Sequence, residues 1–405
     1  MGVQTGGIAQ LNRFRGLRTH MVKVLIPREW DRDEKRVASS PDVIKRLSGR
    51  KLSCRVERGA GEASGFQDED YVAAGAELVA PGDQAVWSDS DVVLSVGPIG
   101  DRISQLKPGA LVLGQLAPHN NNALLDQLER GLLSAISLEL LPRISRAQAM
   151  DVLSSQANIA GYKAVLMGAA SLDRFMPMLM TAAGTVQPAK VVIIGAGVAG
   201  LQAVATARRL GAVVSVSDVR AAAQEQVESL GARFIAPPEQ GVPGETGGYA
   251  KQATKSFLEE QREGLAVHLN QADLVICTAQ VPGRPAPLLI TQAMVEAMRP
   301  GAVIVDLAVL QGGNCEVSKP GQTVAHHGVQ VIGADRLPGS VAHHASALYS
   351  RNLLALLEVL VDQEGQLSLN AEDDLLNPSL ISLNGTLRRT DLVPDRAAPQ
   401  QEVTQ

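Results

Sequence analysis

Residues 190–203 read KVVIIGAGVAGLQA, an apolar stretch that runs into Gly195-x-Gly197-x-x-Gly200 and then into a helical pattern. This order predicts a strand, a tight turn and a helix. Gly195 permits the turn, Gly197 lets the backbone approach a bound pyrophosphate, and Gly200 allows helix and strand to pack closely. The helix dipole and the unpaired N–H groups of the first turn favour an anion at this point. The motif therefore constrains the chain to a dinucleotide-binding βαβ unit.

The residues after the glycines complete this unit. The helix predicted for Val198–Leu210 ends at Gly211, and a second strand, Ala212–Ser217, leads into Asp218. An acid about 20 residues beyond such a motif is placed to bind the adenosine ribose. A carboxylate there repels a 2′-phosphate, so the pattern favours NAD(H) over NADP(H).

Alternatives remain at this position. Asp218 is also interpretable as an ordinary aspartate at a strand end. Arg220 is either a residue that weakens the preference for NAD(H) or, as we favour, a solvated residue at a helix start. Val198, which opens the helix, and Val219, which follows the acid, are included in the predicted cofactor site.

Length and composition limit the classes of protein to which the chain can belong. The 405 residues exceed what one core usually holds, which favours two domains, and the 45% hydrophobic and 20% charged content is typical of a globular protein. The net charge of −5 argues against a nucleic-acid partner. The three cysteines lack metal-site spacing and indicate a reducing compartment, so no metal site is predicted. No apolar run reaches the about 18–20 residues of a membrane span.

Short apolar strands alternate with helical segments both before and after the glycine motif. Such alternation predicts an α/β fold with two Rossmann-like, doubly wound parallel-sheet domains joined by long connector helices. The predicted first domain covers 22–145 and 335–392, and the NAD(H)-binding domain covers 146–334. Residues 1–21, basic and without a secretory apolar core, are interpreted as a disordered extension, with a targeting arm as the alternative. Residues 393–405 are predicted to form a flexible tail.

The segment 141–172 predicts a connector helix of about 25 residues beginning near Ser145, longer than most globular helices. Its polar residues Gln148, Asp151 and Ser155 recur at helical spacing and are expected on one face. On spacing alone, a solvated helix face is the favoured explanation, and a functional site is the alternative. A second connector is predicted for Val341–Val361.

Several longer motifs carry a family resemblance. PRISRAQAMDVLSSQANIAGYKAV, TAAGTVQPAKVVIIGAGVAGLQA, ETGGYAK, PGRPAP, VDLAVLQGGNC and VAHHASALYSRNLL occur between residues 142 and 354. Together they resemble the NAD(H)-binding domain I, carried on the alpha subunit, of proton-translocating NAD(P) transhydrogenases. The resemblance covers about residues 22–365 and extends to alanine dehydrogenases, which share the two-domain architecture.

The resemblance implies specific site residues. Arg143, Gln148, Asp151 and Ser154 match the family positions that reach the nicotinamide. Direct hydride transfer between two nicotinamides requires positioning rather than a proton donor, which suits these residue types. In this family Gln148 would hold the ring carboxamide or a ribose, while Arg143 and Asp151 would hold each other and the ribose or pyrophosphate side.

Further positions follow from the same resemblance. Gly248 and Tyr249 lie in ETGGYAK, which matches a mobile loop that closes over the nucleotide and contacts the partner. Tyr249 is expected to act as a lid residue, with plain packing as the alternative. Gln280 stands beside the adenine or ribose where the family usually has Leu, and Arg284 replaces a Lys in the same turn.

Alanine dehydrogenase chemistry is the alternative function. It requires a carboxylate-binding Arg, a carbonyl-polarising Lys and an acid–base His. Arg36 matches the first position, but the lysine and histidine positions hold Ser95 and Gln115, and Lys107 and His119 fall outside them. Imine chemistry is therefore not expected. A catalytically silent NAD(H)-sensing module is a third hypothesis.

The family resemblance also implies partners. It predicts NAD(H) on this chain, NADP(H) on a separate partner domain or beta subunit, and a membrane subunit that translocates protons. A homodimer is implied as well. The expected location is cytoplasmic, with peripheral association at the inner membrane.

Overall fold

The computed structural model describes residues 21–238, 245–246, 249–250, 255–281 and 284–392. Within them the chain divides into two compact units, unit 1 with residues up to Val152 and from Ser346 onward, and unit 2 with Leu153–Ala345. The predicted extension 1–21 lies, except for its last residue, outside the described residues, as do the predicted tail 393–405 and Gly248.

The strands, in chain order, are β1 Lys23–Ile26, β2 Ser53–Glu57, β3 Glu77–Val79, β4 Val92–Leu94, β5 Leu111–Gly114, β6 Ser134–Ser137, β7 Leu179–Thr181, β8 Gly184–Val186, β9 Lys190–Ile194, β10 Val213–Ser217, β11 Arg233–Ile235, β12 Glu245–Thr246, β13 Tyr249–Ala250, β14 Leu274–Cys277, β15 Val303–Asp306, β16 Thr323–His326, β17 Val329–Gly333, β18 Leu380–Leu383 and β19 Thr386–Leu387. The α-helices are α1 Pro41–Gly49, α2 Asp68–Ala73, α3 Gln84–Asp89, α4 Asn122–Arg130, α5 Val152–Ser171, α6 Val198–Arg209, α7 Ala223–Ser229, α8 Lys255–Leu269, α9 Gln292–Glu296 and α10 Ala342–Leu360.

Unit 1 is built on a sheet with strand order β19-β18-β6-β5-β4-β1-β2-β3. The strands from β6 to β3 run parallel, whereas β18 pairs antiparallel with β6 and with β19. Along β1, Val24 and Ile26 join one buried cluster and Leu25 joins another. Apolar side chains on both faces of a strand are typical of a parallel sheet covered on both sides.

Unit 2 is built on a second sheet with order β11-β10-β9-β14-β15-β17-β16. Its strands are parallel except β16, the edge strand, which runs antiparallel to β17. Val191 and Ile193 of β9 face one core, and Val192 and Ile194 face the other. The order from β11 to β17 is that of the doubly wound dinucleotide-binding fold. The predicted α/β class with two doubly wound sheets is confirmed.

The predicted connector helix is wrong in its first part. Residues Ser145–Met150 form a 3-10 helix, Asp151 has a non-helical backbone with φ −73° and ψ 89°, and α5 begins only at Val152. Gln148, Asp151 and Ser155 therefore do not share the face of one continuous α-helix. α5 continues through Gly161 without a break. A Cβ at this position would lie 2.0 Å from the Ala199 carbonyl oxygen, so glycine allows α5 to pack closely on the start of α6.

Two elements were not predicted from the sequence. Leu179–Thr181 and Gly184–Val186 form an antiparallel hairpin of their own, outside both large sheets. Leu380–Leu383 extends the sheet of unit 1 by pairing antiparallel with β6. The division of the chain at 152/153 and 345/346 falls further along than the predicted boundaries at 145/146 and 334/335.

Candidate functional site

The glycine loop of unit 2 is shaped by three different requirements. Gly195 has φ +97°, and a Cβ there would lie 2.8 Å from Thr278 Oγ1. A Cβ on Gly200 would lie 1.8 Å from the Gly195 carbonyl oxygen, so α6 packs against the turn as only glycine allows. At Gly197 a Cβ would meet no described heavy atom within 4 Å, and Val198 is 36% exposed. The first turn of α6 is therefore approachable from outside.

The loop lies where the strand order reverses. β9 is flanked by β10 on one side and β14 on the other. Thr278, which follows β14, shares its hydroxyl hydrogen between the carbonyl oxygens of Ile194 and Gly195, each 3.0 Å away. Ligands of open α/β sheets bind outside the carboxyl ends of the strands at such a switch point.

Asp218 lies at the end of β10 and is 7% exposed. One carboxylate oxygen accepts the backbone N–H of Ala196 at 2.7 Å, which ties the acid to the glycine loop. The guanidinium of Arg220 binds both oxygens, with Nε to Oδ1 and Nη2 to Oδ2 at 2.9 Å each. Arg220 is thus a partner of the carboxylate, and its interpretation as a solvated helix-start residue is wrong. Val219 lies between them, half-buried.

A cavity of about 270 Å³ is lined by Ser217, the residue before this acid, and by residues that include Ile235, Pro237 and Gln261. Gln261 of α8 is 5% exposed, and within the described residues its Oε1 has no hydrogen-bond partner. A buried, unpaired acceptor is costly unless a ligand or water satisfies it. Sequence reasoning missed Gln261, because a glutamine within a predicted helix carries no local signal of burial beside a cavity.

Gln280 is exposed and donates from Nε2 to the Leu307 carbonyl oxygen at 2.9 Å. Two buried residues, Asp306 and Asn314, hold the loops around it. Asp306 accepts the backbone N–H of Asn314 and the Ser318 hydroxyl, while Asn314 Nδ2 donates to the Ala279 carbonyl oxygen at 2.8 Å. The VDLAVLQGGNC motif thus serves to order the loops beside Gln280.

The four predicted nicotinamide residues lie in one short stretch of chain. Arg143 and Gln148 are exposed, whereas Asp151 and Ser154 are half-buried. Gln148 lies on the 3-10 helix, Asp151 at the break after it, and Ser154 in the first turn of α5. Asp373 and Asp374 fix the 3-10 helix through Arg146, whose Nη2 and Nη1 lie 2.9 and 2.8 Å from their carboxylates. The catalytic roles stay a prediction.

The predicted lid is only partly described. Gly248 lies outside the described residues, and for Tyr249 only the backbone is described, paired antiparallel with Thr246. Arg284 is exposed. The roles proposed for this loop stay predictions.

In unit 1, the groups for alanine dehydrogenase chemistry are missing or engaged. Arg36 forms a bidentate pair with Glu34, Nε to Oε1 at 2.8 Å and Nη2 to Oε2 at 2.7 Å. Ser95 is fully buried, and its Oγ has no hydrogen-bond partner within the described residues. Lys107 lies 2.6 Å from Asp91. Arg36, which matches the carboxylate-binding position of alanine dehydrogenases, is thus paired with Glu34.

The same region contains a partly buried acid. Glu29 accepts the backbone N–H groups of Val96 and Gly97 at 2.8 and 3.1 Å. Burial raises the pKa of Glu29 to about 7, despite these hydrogen bonds. Burial also raises the pKa of Tyr349, whose hydroxyl donates to the Ser95 carbonyl oxygen at 2.8 Å.

The described helices include none with the length and apolarity needed to cross a membrane. One group of His, Cys, Asp or Glu side chains with metal-ligand spacing occurs in the described chain, at Glu296, His326 and His327. The expectation of no metal site did not anticipate this group.

Comparison with known proteins agrees with this architecture. Residues 25–160 match the family model "Alanine dehydrogenase/PNT, N-terminal domain", and residues 164–390 match "Alanine dehydrogenase/PNT, C-terminal domain". The chain is 45% identical over 375 residues to an NAD(P) transhydrogenase alpha subunit of Rhodospirillum rubrum, covering 90% of this chain and 97% of that one.

Solved structures give the same result. A transhydrogenase from Sinorhizobium meliloti has a TM-score of 0.82 and 44% identity, covering 90% of this chain and 99% of that one. An L-alanine dehydrogenase has a TM-score of 0.76 and 28% identity, covering 93% and 100%. The resemblance inferred from the motifs is confirmed: the chain belongs to the alanine dehydrogenase/PNT family, and its relatives there include NAD(P) transhydrogenase alpha subunits.

Proposed function

We propose that unit 2 binds NAD(H), with the pyrophosphate at the first turn of α6. The observation that carries this proposal is the combination of a close-packed Gly195 and Gly200 with open space at Gly197. Backbone N–H groups and the helix dipole supply the positive field for the phosphates. Asp218 binds the adenosine ribose after exchanging its bonds to Arg220 for ribose hydroxyls.

The adenine occupies the cavity lined by Ser217, Ile235 and Gln261. Ser217 of the lining directly precedes the proposed ribose-binding acid, which supports an adenine site near that acid. The exocyclic amino group of adenine is a hydrogen-bond donor, and Gln261 Oε1, unpartnered in the described part of the chain, is a matching acceptor. The apolar walls suit the ring faces.

The reaction is direct hydride transfer between NADH on this chain and NADP⁺ on a partner domain. Arg143, Gln148, Asp151 and Ser154 position the nicotinamide of NADH. None of these four is a histidine or lysine that donates protons near neutral pH, and hydride transfer between two nicotinamides requires none. The names of the transhydrogenase relatives support this choice over other NAD(H) reactions.

The partners follow from the same assignment. An NADP(H)-binding beta subunit or domain stands opposite the nicotinamide, and proton translocation takes place in a membrane subunit. The chain acts in the cytoplasm at the inner membrane surface. It forms a homodimer, which the exposed apolar hairpin supports: Met178, Met180 and Val186 are 54%, 77% and 41% exposed.

The test mixes this chain with the isolated NADP(H)-binding domain of a transhydrogenase. NADH and an NADP⁺ analogue are supplied, and reduction of the analogue is followed by absorbance. We expect a rate well above that of either protein alone. NADH binding without any such rate would favour the silent NAD(H)-sensing module instead.

Gln148→Asn tests the positioning role within the same assay. Shortening the side chain by one methylene displaces the carboxamide by about 1 Å, a misplacement that costs up to about a hundredfold in rate. We expect that loss with only a modest change in NADH affinity. Gln224→Asn on α7 is the matched control, because Gln224 is exposed and its amide donates to the exposed Glu228 at 2.8 Å. An equal rate in both variants would refute the role of Gln148.

Alanine dehydrogenase activity is the second candidate because of the shared architecture. The engagement of Arg36 by Glu34 and the buried serine at position 95 argue against it. We expect no NADH oxidation on adding pyruvate and ammonia to this chain alone. A robust rate under these conditions would reverse the order of the two candidates.

A further inference from the structure

The hairpin at the edge of the unit 2 sheet has an unusual turn. His326 of β16 pairs with Val329 of β17, so the turn consists of His327 and Gly328. Both have positive φ, +46° and +77°, as a type I′ turn requires. Asparagine, aspartate or glycine is preferred at the first of these positions. Histidine is also among the residues enriched in this conformation, so the turn accommodates His327 but does not by itself require an imidazole.

The turn changes where the second histidine points. Adjacent residues of a regular strand point to opposite faces of the sheet. Here the turn brings both imidazoles together, with ring centroids 4.9 Å apart. Both approach Glu296, the last residue of α9: Nε2 of His326 lies 3.0 Å and Nε2 of His327 3.8 Å from the same carboxylate oxygen.

The three side chains have the spacing and charge of a metal-ligand set. Their ligand atoms lie within 4.8 Å of one another. Ligands at about 2.0–2.2 Å from one tetrahedral zinc ion lie about 3.3–3.5 Å apart. Rotation of the two imidazole rings would bring the three ligand atoms to this spacing. A hydrogen bond from Gln292, followed by one from His326, lowers the pKa of Glu296, which keeps the carboxylate ionised. His327 is 60% exposed, which leaves access for an ion.

We propose that Glu296, His326 and His327 bind one zinc-class divalent metal ion. Two imidazoles and one carboxylate are ligands that Zn²⁺ accepts, with a fourth position left for water. Gln292 Nε2, 2.9 Å from Glu296 Oε1, orients the carboxylate from the preceding turn of α9. The ion ties α9 to the hairpin and thereby secures β16, the edge strand at the end of the sheet opposite β11.

The test uses the full chain without an affinity tag, freed of metal with a chelator. Zn²⁺ is titrated in a calorimeter, and we expect one saturable site. His326→Gln and Glu296→Gln are each expected to weaken binding at least about tenfold, because each removes one of three ligands. His268→Gln, which removes an exposed histidine of α8, is the matched control and is expected to leave affinity unchanged.

His327→Asn is the sharpest variant. Asparagine suits the first position of the turn, so without metal this variant is expected to melt no lower than the wild type. Zn²⁺ should raise the melting temperature of the wild type but not of His327→Asn. The visible spectrum of bound Co²⁺ should likewise appear only in the wild type. Equal affinity in the two proteins, several weak sites, or no heat of binding would each overturn the proposal.

Discussion

The two units share a topology and differ in what surrounds one carboxylate. In unit 1 the parallel strands follow the order β3-β2-β1-β4-β5-β6, and in unit 2 the order β11-β10-β9-β14-β15-β17. In each, an acid at the end of the second strand accepts a backbone N–H from the loop after the first. Glu57 accepts that of Arg28 at 2.9 Å, and Asp218 accepts that of Ala196 at 2.7 Å.

The other partners of the two acids are of different kinds. Glu57 also accepts the backbone N–H of Gly82 at 2.8 Å and the indole N–H of Trp87 at 3.0 Å, and it is completely buried with Arg102 Nη1 3.6 Å away. Asp218 is bound by the side chain of Arg220, which can rotate away. The hydrogen bonds to the acid of unit 1 thus come from two backbone groups and one indole, and its arginine stands at a longer distance, whereas the acid of unit 2 is hydrogen-bonded by an arginine side chain that a ligand can replace. A shared fold leaves function to such local differences.

The largest loss of stability is expected from Glu57→Gln, which disrupts the hydrogen bonds that Glu57 accepts from Arg28, Gly82 and Trp87. The new amide group would face backbone and indole donors, leaving buried groups unpaired at a cost of about 3–5 kcal/mol in unfolding free energy. The two tryptophans, Trp30 and Trp87, both lie in unit 1, so fluorescence during denaturant unfolding reports on that unit.

Glu77→Gln on β3 provides the control for this experiment. The Glu77 side chain is 68% exposed and lies 3.9 Å from Arg55, so a change below about 0.5 kcal/mol is expected. Similar stability losses in the two variants would show that Glu57 has no special structural role. NADH affinity should not change in either.

Glu29 of unit 1 is expected to make the stability of that unit depend on pH. Its folded pKa of about 7 stands above the ordinary 4.5, so the folded state binds more protons between these values. The unfolding free energy of unit 1 therefore falls as pH rises from about 4.5 to about 7 and does not change further at higher pH. At about 1.4 kcal/mol per pK unit, the total loss is about 3 kcal/mol. Tryptophan-monitored unfolding at pH 5 and pH 8 should show this change in the wild type and a smaller one in Glu29→Gln. Parallel pH profiles in the two proteins would contradict the raised pKa of Glu29.

The sequence predicted unit 2 better than unit 1 because its signals are local. An apolar strand, three glycines and a following acid are neighbours in the chain, and glycine requirements such as that at Gly200 come from contacts nearby in sequence. The strand Leu380–Leu383 was missed because its partner, β6, lies far away in the chain. The hydrogen bonds of Glu57 were missed for the same reason, because their donors lie 25 to 30 residues away in the chain.

Three site features were not predicted correctly from the sequence. The break at Asp151 interrupts a segment whose composition favours a continuous helix, and tertiary packing of Ala147 and Met150 in the unit 1 core overrides that preference. The burial of Gln261 beside a cavity depends on how α8 packs, which periodicity does not report. Arg220 was assigned to solvent, although a side chain two residues from an acid has a partner within reach.

The smallest effects concern Asp218 and Arg220, whose exchangeable bonds distinguish unit 2. Asp218→Ala is expected to weaken NADH binding by about 1–3 kcal/mol, because hydrogen bonds from the ribose to a charged acceptor are lost. The guanidinium of Arg220, released from its bidentate pair, then meets a 2′-phosphate, so the ratio of NADPH to NADH affinity should rise. Arg220→Ala is the matched control. It leaves the carboxylate in place and should retain NADH binding without any gain for NADPH, as measured by fluorescence titration of both nucleotides. If both variants changed the two affinities equally, the acid would not be the group that selects the cofactor, and the difference between the two units would have to be sought in the glycine loop alone.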